Sequence, residues 1–376
     1  MSVKVCLGAN CLRSAHCSGH LWVFLNWALG LRSLGCDVIW LEWVKAKYDA
    51  DDLEERVQVL KSRLAPFGLD TAVALWPFDE RCSGKSAASC LDLDAAVSAD
   101  LFINIAYDGF AAEVVARFRR AILIDIDPGL TQEWIMSGRM KLHRHHRYFT
   151  IGETVGRSNA GFSSCGVRWL YTAPPIALEH WPVSCADRTA PYTTLTNWWG
   201  PPVGADGNDY ANAKKDGFLP FMQLPSMTTV PLKLAVGSGD GYDEDLPKFR
   251  EAGWDVCSAA PLSDTPELYR SFVQQSRGEF SCAKPWYVRL ETAWISDRTI
   301  AYLASGKPAV VQHTGRSRFL PDAGGLFRLR TPGEAVRAFE VVESDYERQC
   351  RVARALAEEH FDARKVVKSV LERALS

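Results

Sequence analysis

Short apolar segments recur along this chain, each followed by a stretch of helical character. Before residue 171 they are "VKVCLGA", "CDVIWLEW", "ADLFINIAYDGF", "AILIDIDPG" and "RYFTIGE". None of them alternates apolar with polar residues, so both faces of each strand must be covered. A parallel sheet with helices on both sides meets that demand. The intervening helices fit: residues 19–34 are apolar and closed by Gly35, "LEERVQVLKSRLAPFG" is amphipathic and ends at Pro66 and Gly68, and "AAEVVARFRR" follows.

Around residues 171–190 the pattern breaks. "YTAPPIALEHWPVSCADRTA" is rich in proline and lacks helical period, so it reads as a linker. A second series then begins with the strands "YTTLTNWWG", "PLKLAVGSG", "WDVCSA", "GEFSCAK" and "KPAVVQHTG". The helices "LPKFREAG", "TPELYRSFVQQSR" and "SDRTIAYLASG" lie between them, and the chain ends in helix. At 376 residues, two domains are expected. The predicted fold is α/β, with two Rossmann-like doubly wound domains facing a cleft and C-terminal helices after them. The first domain spans 1–175, the linker 176–190, the second domain 191–360 and a C-terminal helix 361–376. In such sheets ligands bind at the carboxyl ends of the strands.

Charge excludes some partners. Lys and Arg number 43 against 45 Asp and Glu, a net charge of −2, so no global field favours nucleic acid or an anionic membrane. Apolar runs such as "AVV" and "AILI" are far too short for a membrane span. "MSVKVCLGAN" enters a strand at once without a signal-peptide pattern, which leads us to expect a cytoplasmic protein. The eleven cysteines form no CxxC pair, and Cys6, Cys36, Cys257 and Cys282 sit in apolar or strand-like settings. They read as reduced thiols. Cys11, His16, Cys17 and His20 share a loop, but their spacing fits no standard zinc pattern, so no metal is expected.

The strongest local signal is "TAWISDRTIAYLASGKPAVV", residues 292–311: loop, helix, Gly306 stop and strand. Ser296 or Asp297 can cap the helix, whose first-turn N–H groups and dipole attract phosphate. Arg298 in that first turn opposes the dipole, and a bound anion would resolve the conflict. The plainer reading is a capped helix with a solvated arginine. Upstream, in "SRGEFSCAKPWYV", Glu279 starts a buried strand and Lys284 follows its end. Lys284 is placed to meet phosphate, or else to pair with Glu279 or Asp297. "VGSGDGYDED" lacks dinucleotide-binding glycine spacing and reads as a turn. "KLHRHHR", with His143, His145 and His146, reads as a basic loop rather than a metal cluster. His20 lies where the first loop enters the first helix, and Asp108 ends the strand "LFINIAYDGF". A carboxylate there could hold one imidazole nitrogen and leave the other to take a proton. The alternative is a helix-start histidine with a satisfied hydrogen bond.

"YTTLTNWWG", "SRGEFSCAKPWYV", "SDRTIAYLASGKPAVVQHTG" and "ARALAEEHFDARKVV" are similar to a broad group of bacterial glycosyltransferases, and the whole layout resembles the GT-B fold. The resemblance implies a nucleotide-diphosphate-sugar as co-substrate, with no further cofactor. It implies phosphate contacts by Ser296, Arg298 and Thr299, with Glu279, Lys284 and Asp297 nearby, and it matches Lys214 of "NAKKDGF" to a lysine of the group. "GH" followed by Gly35 and "DV" resembles the start of inverting small-molecule glycosyltransferases, which implies His20 as general base and Asp108 as its acid partner. The paired glutamates of retaining relatives are absent, since Ala293 and Ala301 stand in their places. The expected activity is transfer of a sugar to a hydroxyl of a small-molecule acceptor, such as a secondary metabolite, by a monomer or homodimer. A nucleotide-sugar 2-epimerase and a nucleotide-sugar-binding protein without turnover are the alternatives.

Overall fold

The computed structural model describes all residues except 1, 2, 15, 159, 201, 205–209 and 238–243. Most of the glycine-rich turn "VGSGDGYDED" therefore lies outside the described residues. The first sheet contains β1 (Lys4–Ala9), β2 (Asp37–Trp43), β3 (Val73–Trp76), β4 (Leu101–Asn104), β5 (Ala121–Asp125), β6 (Arg147–Thr150) and β7 (Trp169–Tyr171). The second contains β8 (Tyr192–Asn197), β9 (Leu232–Gly237), β10 (Asp255–Ser258), β11 (Gly278–Ser281), β12 (Ala309–Gln312) and β13 (Leu326–Leu329). Their orders are 3-2-1-4-5-6-7 and 10-9-8-11-12-13, and the pairings are parallel. The order reverses between β1 and β4, and again between β8 and β11. These reversals are the crevices where such sheets take ligands.

The burial explains the apolar segments. β4, β5, β11 and β13 are buried along their whole length. The first helix, Ser18–Ser33, is apolar all round because it lies between the first sheet and the last helix, Ala363–Leu375. Gly30 permits that approach, since a Cβ there would lie 2.7 Å from Val367 and 3.0 Å from Ala363. The C-terminal helix thus returns to the first domain. One apolar core runs from Val5 and Trp27 through Tyr269 and Tyr302 to Val367, so it joins both domains.

The proline-rich linker is not loose. Ile176, Ala177 and Trp181 are buried, and Trp181 packs against Trp22 with ring centroids 4.8 Å apart. The Ala177 amide donates to Asn26 Oδ1 at 3.0 Å, and Ile176 exchanges backbone bonds with Phe361 and Ala363 at 2.7 and 2.9 Å. Its apolar residues override the signal of its prolines. All eleven cysteines are free thiols. Among the described residues no helix is long and apolar enough to cross a membrane.

Candidate functional site

At the reversal point of the second sheet, three neighbours converge on Arg298. Its Nε donates to Glu279 Oε1 at 2.7 Å, its Nη1 to the Leu195 carbonyl at 2.9 Å, and its Nη2 to Ser281 Oγ. Glu279 is wholly buried, and the Arg298 side chain is 11% exposed. These bonds tie the helix Asp297–Ala304 to β8 and β11 at once. The cation in the first turn is balanced by Glu279, so it is not the solvated arginine of the plainer reading. Glu279, expected beside the donor, does not line the pocket at the helix start, whereas Arg298 does. Ser296 caps that helix, its Oγ accepting from the Arg298 amide at 3.3 Å.

That pocket is lined by Lys214, Ser281, Trp294, Ser296, Arg298 and Thr299, among others. Lys214 opens the short helix Lys214–Phe218, which starts with Asp216 accepting from the Ala213 amide at 2.8 Å. Gly217 lets this helix press onto the end of β11, since a Cβ there would lie 2.1 Å from the Ala283 carbonyl oxygen. Lys214 is 7% exposed, and no hydrogen bond to its ammonium is found among the described residues. The ammonium lies 6.0 Å from the centre of the Trp294 ring. Burial first, then the charges of Arg298 and Lys284, bring its pKa down to about 7, while Cys282 and Glu279 pull the other way. Lys284 caps the helix Pro285–Leu290 half-buried and pairs with neither Glu279 nor Asp297. Thr299 is buried in the pocket wall.

Asp297, the first residue of its helix, is raised to about 7 by burial, with the Asp127 charge adding to the rise. Asp127 belongs to the first domain, two residues beyond β5, and the sequence analysis missed it. Its Oδ1 accepts from the Tyr287 hydroxyl at 2.7 Å and its Oδ2 from Tyr107 at 3.2 Å. The signal was there to read, in an acid just past the end of a buried strand in "AILIDIDPG".

In the first domain, His20 sits in the first turn of its helix. Its Nε2–H donates to Asn10 Oδ1 at 2.8 Å, which leaves Nδ1 as the acceptor. Burial, then the charge of Arg13, lowers its pKa to about 4. Asp108 does not orient it. Asp108 is exposed and accepts from the Lys141 amide at 3.3 Å. β1 and β4 are neighbours, but their following turns diverge. Buried Glu42 holds the Cys11 and Leu12 amides over β2, at 3.1 and 3.2 Å, whereas Asn104 bonds the Tyr107 carbonyl at 2.7 Å. "KLHRHHR" is a loop leading into β6, as expected, with Lys141, Arg144 and His146 exposed; His145 alone is buried, accepts from Asn104 and donates to the His143 carbonyl. No group of His, Cys, Asp or Glu that could hold a metal ion occurs among the described residues.

Arg298→Ala should leave Glu279 as an unpaired buried charge. The expected cost is about 3–5 kcal/mol of stability, read from urea unfolding. An unchanged unfolding midpoint would contradict the internal role.

Lys214 loses its proton near pH 7 in the free protein, so anion binding above that pH must take one up. Affinity for sulfate, whose charge is constant here, should then be level below pH 7 and fall with rising pH above it, by at most about tenfold per unit. Calorimetry at pH 8 in buffers of different ionisation enthalpy measures the proton directly.

No family model matches this chain, and no curated protein matches it in sequence. Solved structures do match in fold. HepE of Anabaena, in complex with UDP and glucose, aligns over 99% of both chains at 10% identity with a TM-score of 0.57. Sucrose-phosphate synthase from Thermosynechococcus elongatus aligns over 99% of both chains at 10% identity with a TM-score of 0.54. An alpha-glucosyltransferase in complex with UDP and a 13-mer DNA aligns over 100% of both chains at 10% identity with a TM-score of 0.61. Together with the two parallel sheets, these likenesses establish that the chain has the GT-B fold, two Rossmann-like domains facing one cleft.

Proposed function

We propose that this protein is a glycosyltransferase that moves a sugar from a nucleotide-diphosphate-sugar to a hydroxyl of a small-molecule acceptor. The observation that carries the reading is Lys214: a buried cation with no hydrogen-bond partner among the described residues, lining the pocket at the start of the helix Asp297–Ala304. An anion bound there would face the ammonium, the helix dipole and the Thr299 hydroxyl together. As the bond from sugar to diphosphate breaks, the same groups would meet the growing negative charge. HepE and the alpha-glucosyltransferase were each solved with UDP, which supports a nucleoside diphosphate as the ligand. The alpha-glucosyltransferase was also solved with DNA, but a net charge of −2 supplies no cationic excess for a phosphate backbone, which favours a small acceptor here.

On the acceptor side, His20 is the base of an inverting transfer in this reading. Asn10 orients its ring in the place expected of Asp108, and Nδ1 takes the hydroxyl proton.

Charge-assisted contacts are worth about 1.5–3 kcal/mol, so Lys214→Met should weaken UDP binding by roughly tenfold or more. Titration calorimetry with UDP, GDP and dTDP on wild type and variant tests this. Failure of the wild type to bind any of the three would refute the donor site, and an epimerised donor formed without acceptor would replace transfer by epimerisation.

His20→Ala should cut turnover by at least about a hundredfold with UDP affinity nearly unchanged. With a pKa near 4, His20 is neutral across the ordinary range, so turnover should show no inflection from it between about pH 5.5 and 8. A folded His20→Ala protein with wild-type turnover would remove the base assignment.

A further inference from the structure

Asp127 is fixed from behind. Asp125, wholly buried, accepts from Thr131, Gln132 and Thr150 at 2.6, 3.1 and 2.8 Å, and from the Asp127 amide at 3.0 Å. Gly129 completes the turn at φ +86°, where a Cβ would lie 2.5 Å from Leu290 of the second domain. The Asp127 carboxylate therefore meets the second domain on a rigid base. The Tyr107 hydroxyl that donates to it is itself held by the Ile126 amide at 3.0 Å.

From Asp127 a line of contacts runs into the pocket. The Tyr287 hydroxyl donates to Asp127 across the cleft at 2.7 Å. The Tyr287 ring stacks on Trp294, with centroids 4.3 Å apart and planes 7° apart. Trp294 lines the pocket, and its ring lies under the Lys214 ammonium at 6.0 Å. Trp294 follows Glu291 and Ala293, both left-handed at φ +47° and +57°, conformations that cost energy for residues with a Cβ and persist only under outside support.

We propose that Asp127 is a positioning residue for the donor pocket: acting through Tyr287, it seats Trp294 beneath Lys214, so the pocket of the second domain is complete only while the first domain holds Tyr287. This rests on the reading of that pocket as a nucleoside-diphosphate site. Loss of the hydroxyl-to-carboxylate bond frees the Tyr287 ring to turn, the stack loosens, and water reaches Lys214. The ammonium then keeps its proton at pH 8 without a ligand.

The test uses the full chain as wild type, Tyr287→Phe, Asp127→Ala and the double variant. UDP is the probe, titrated at pH 8 in two buffers of different ionisation enthalpy. Each single variant should bind UDP about tenfold more weakly, the double variant no more weakly than the weaker single, and proton uptake should fall in all three. A bond that merely joins the domains would lower melting temperature and leave affinity and proton uptake as in wild type, which overturns the proposal. Additive losses overturn it as well. Hydrogen exchange without ligand supplies an independent arm: residues 286–296 should exchange faster in Tyr287→Phe and Asp127→Ala alike, and unchanged exchange overturns the seating role. A wild type that binds no UDP would defeat the donor-site reading, while exchange would still decide whether Asp127 seats Trp294.

Discussion

Arg298 and Glu279 meet at 2.7 Å below the first turn of the helix Asp297–Ala304, with Glu279 closed off from water. Removing two charges from water is costly and is offset only when geometry and further hydrogen bonds are good. Here the guanidinium also reaches the Leu195 carbonyl and Ser281. One side chain thus links the helix to the two strands where the second sheet reverses its order. The pocket above inherits its shape from that link. Three of the five guanidinium N–H donors are committed to that link, while Arg298 still lines the pocket.

The pocket is left with an adjustable charge. Lys214 is buried beside Arg298, so its ammonium is disfavoured. The position depends on Gly217, because no other residue lets the short helix lie against the Ala283 carbonyl. The pocket therefore holds an arginine fixed by an ion pair and a lysine whose charge is easily lost.

The two domains are bound together more closely than a hinged pair needs to be. Arg63 and His16 reach Asp264 at 3.0 and 3.1 Å. Glu153 accepts from the Arg318 amide at 2.9 Å and from the Ser317 hydroxyl. The linker is seated in the shared core by Ile176 and Trp181, and the last helix lies on the first. Small, polar interdomain contacts usually permit free motion. Here a continuous apolar core joins the two domains behind the cleft.

The sequence by itself determined the two doubly wound sheets, the cleft between them and the helix Asp297–Ala304 with its Ser296 cap. Those features follow from local pattern: strands apolar on both faces, turn residues and capping chemistry. It did not reveal β3, β7 or β13. Tertiary structure alone decided the partners of the charged and polar side chains. Arg298 found Glu279 nineteen positions away, His20 found Asn10 instead of Asp108, and Asp127 found Tyr287 in the other domain, 160 positions on. Backbone pattern is set by neighbours in sequence, but a buried charge must take whatever partner the packed chain brings within hydrogen-bond reach, and no spacing rule encodes that meeting.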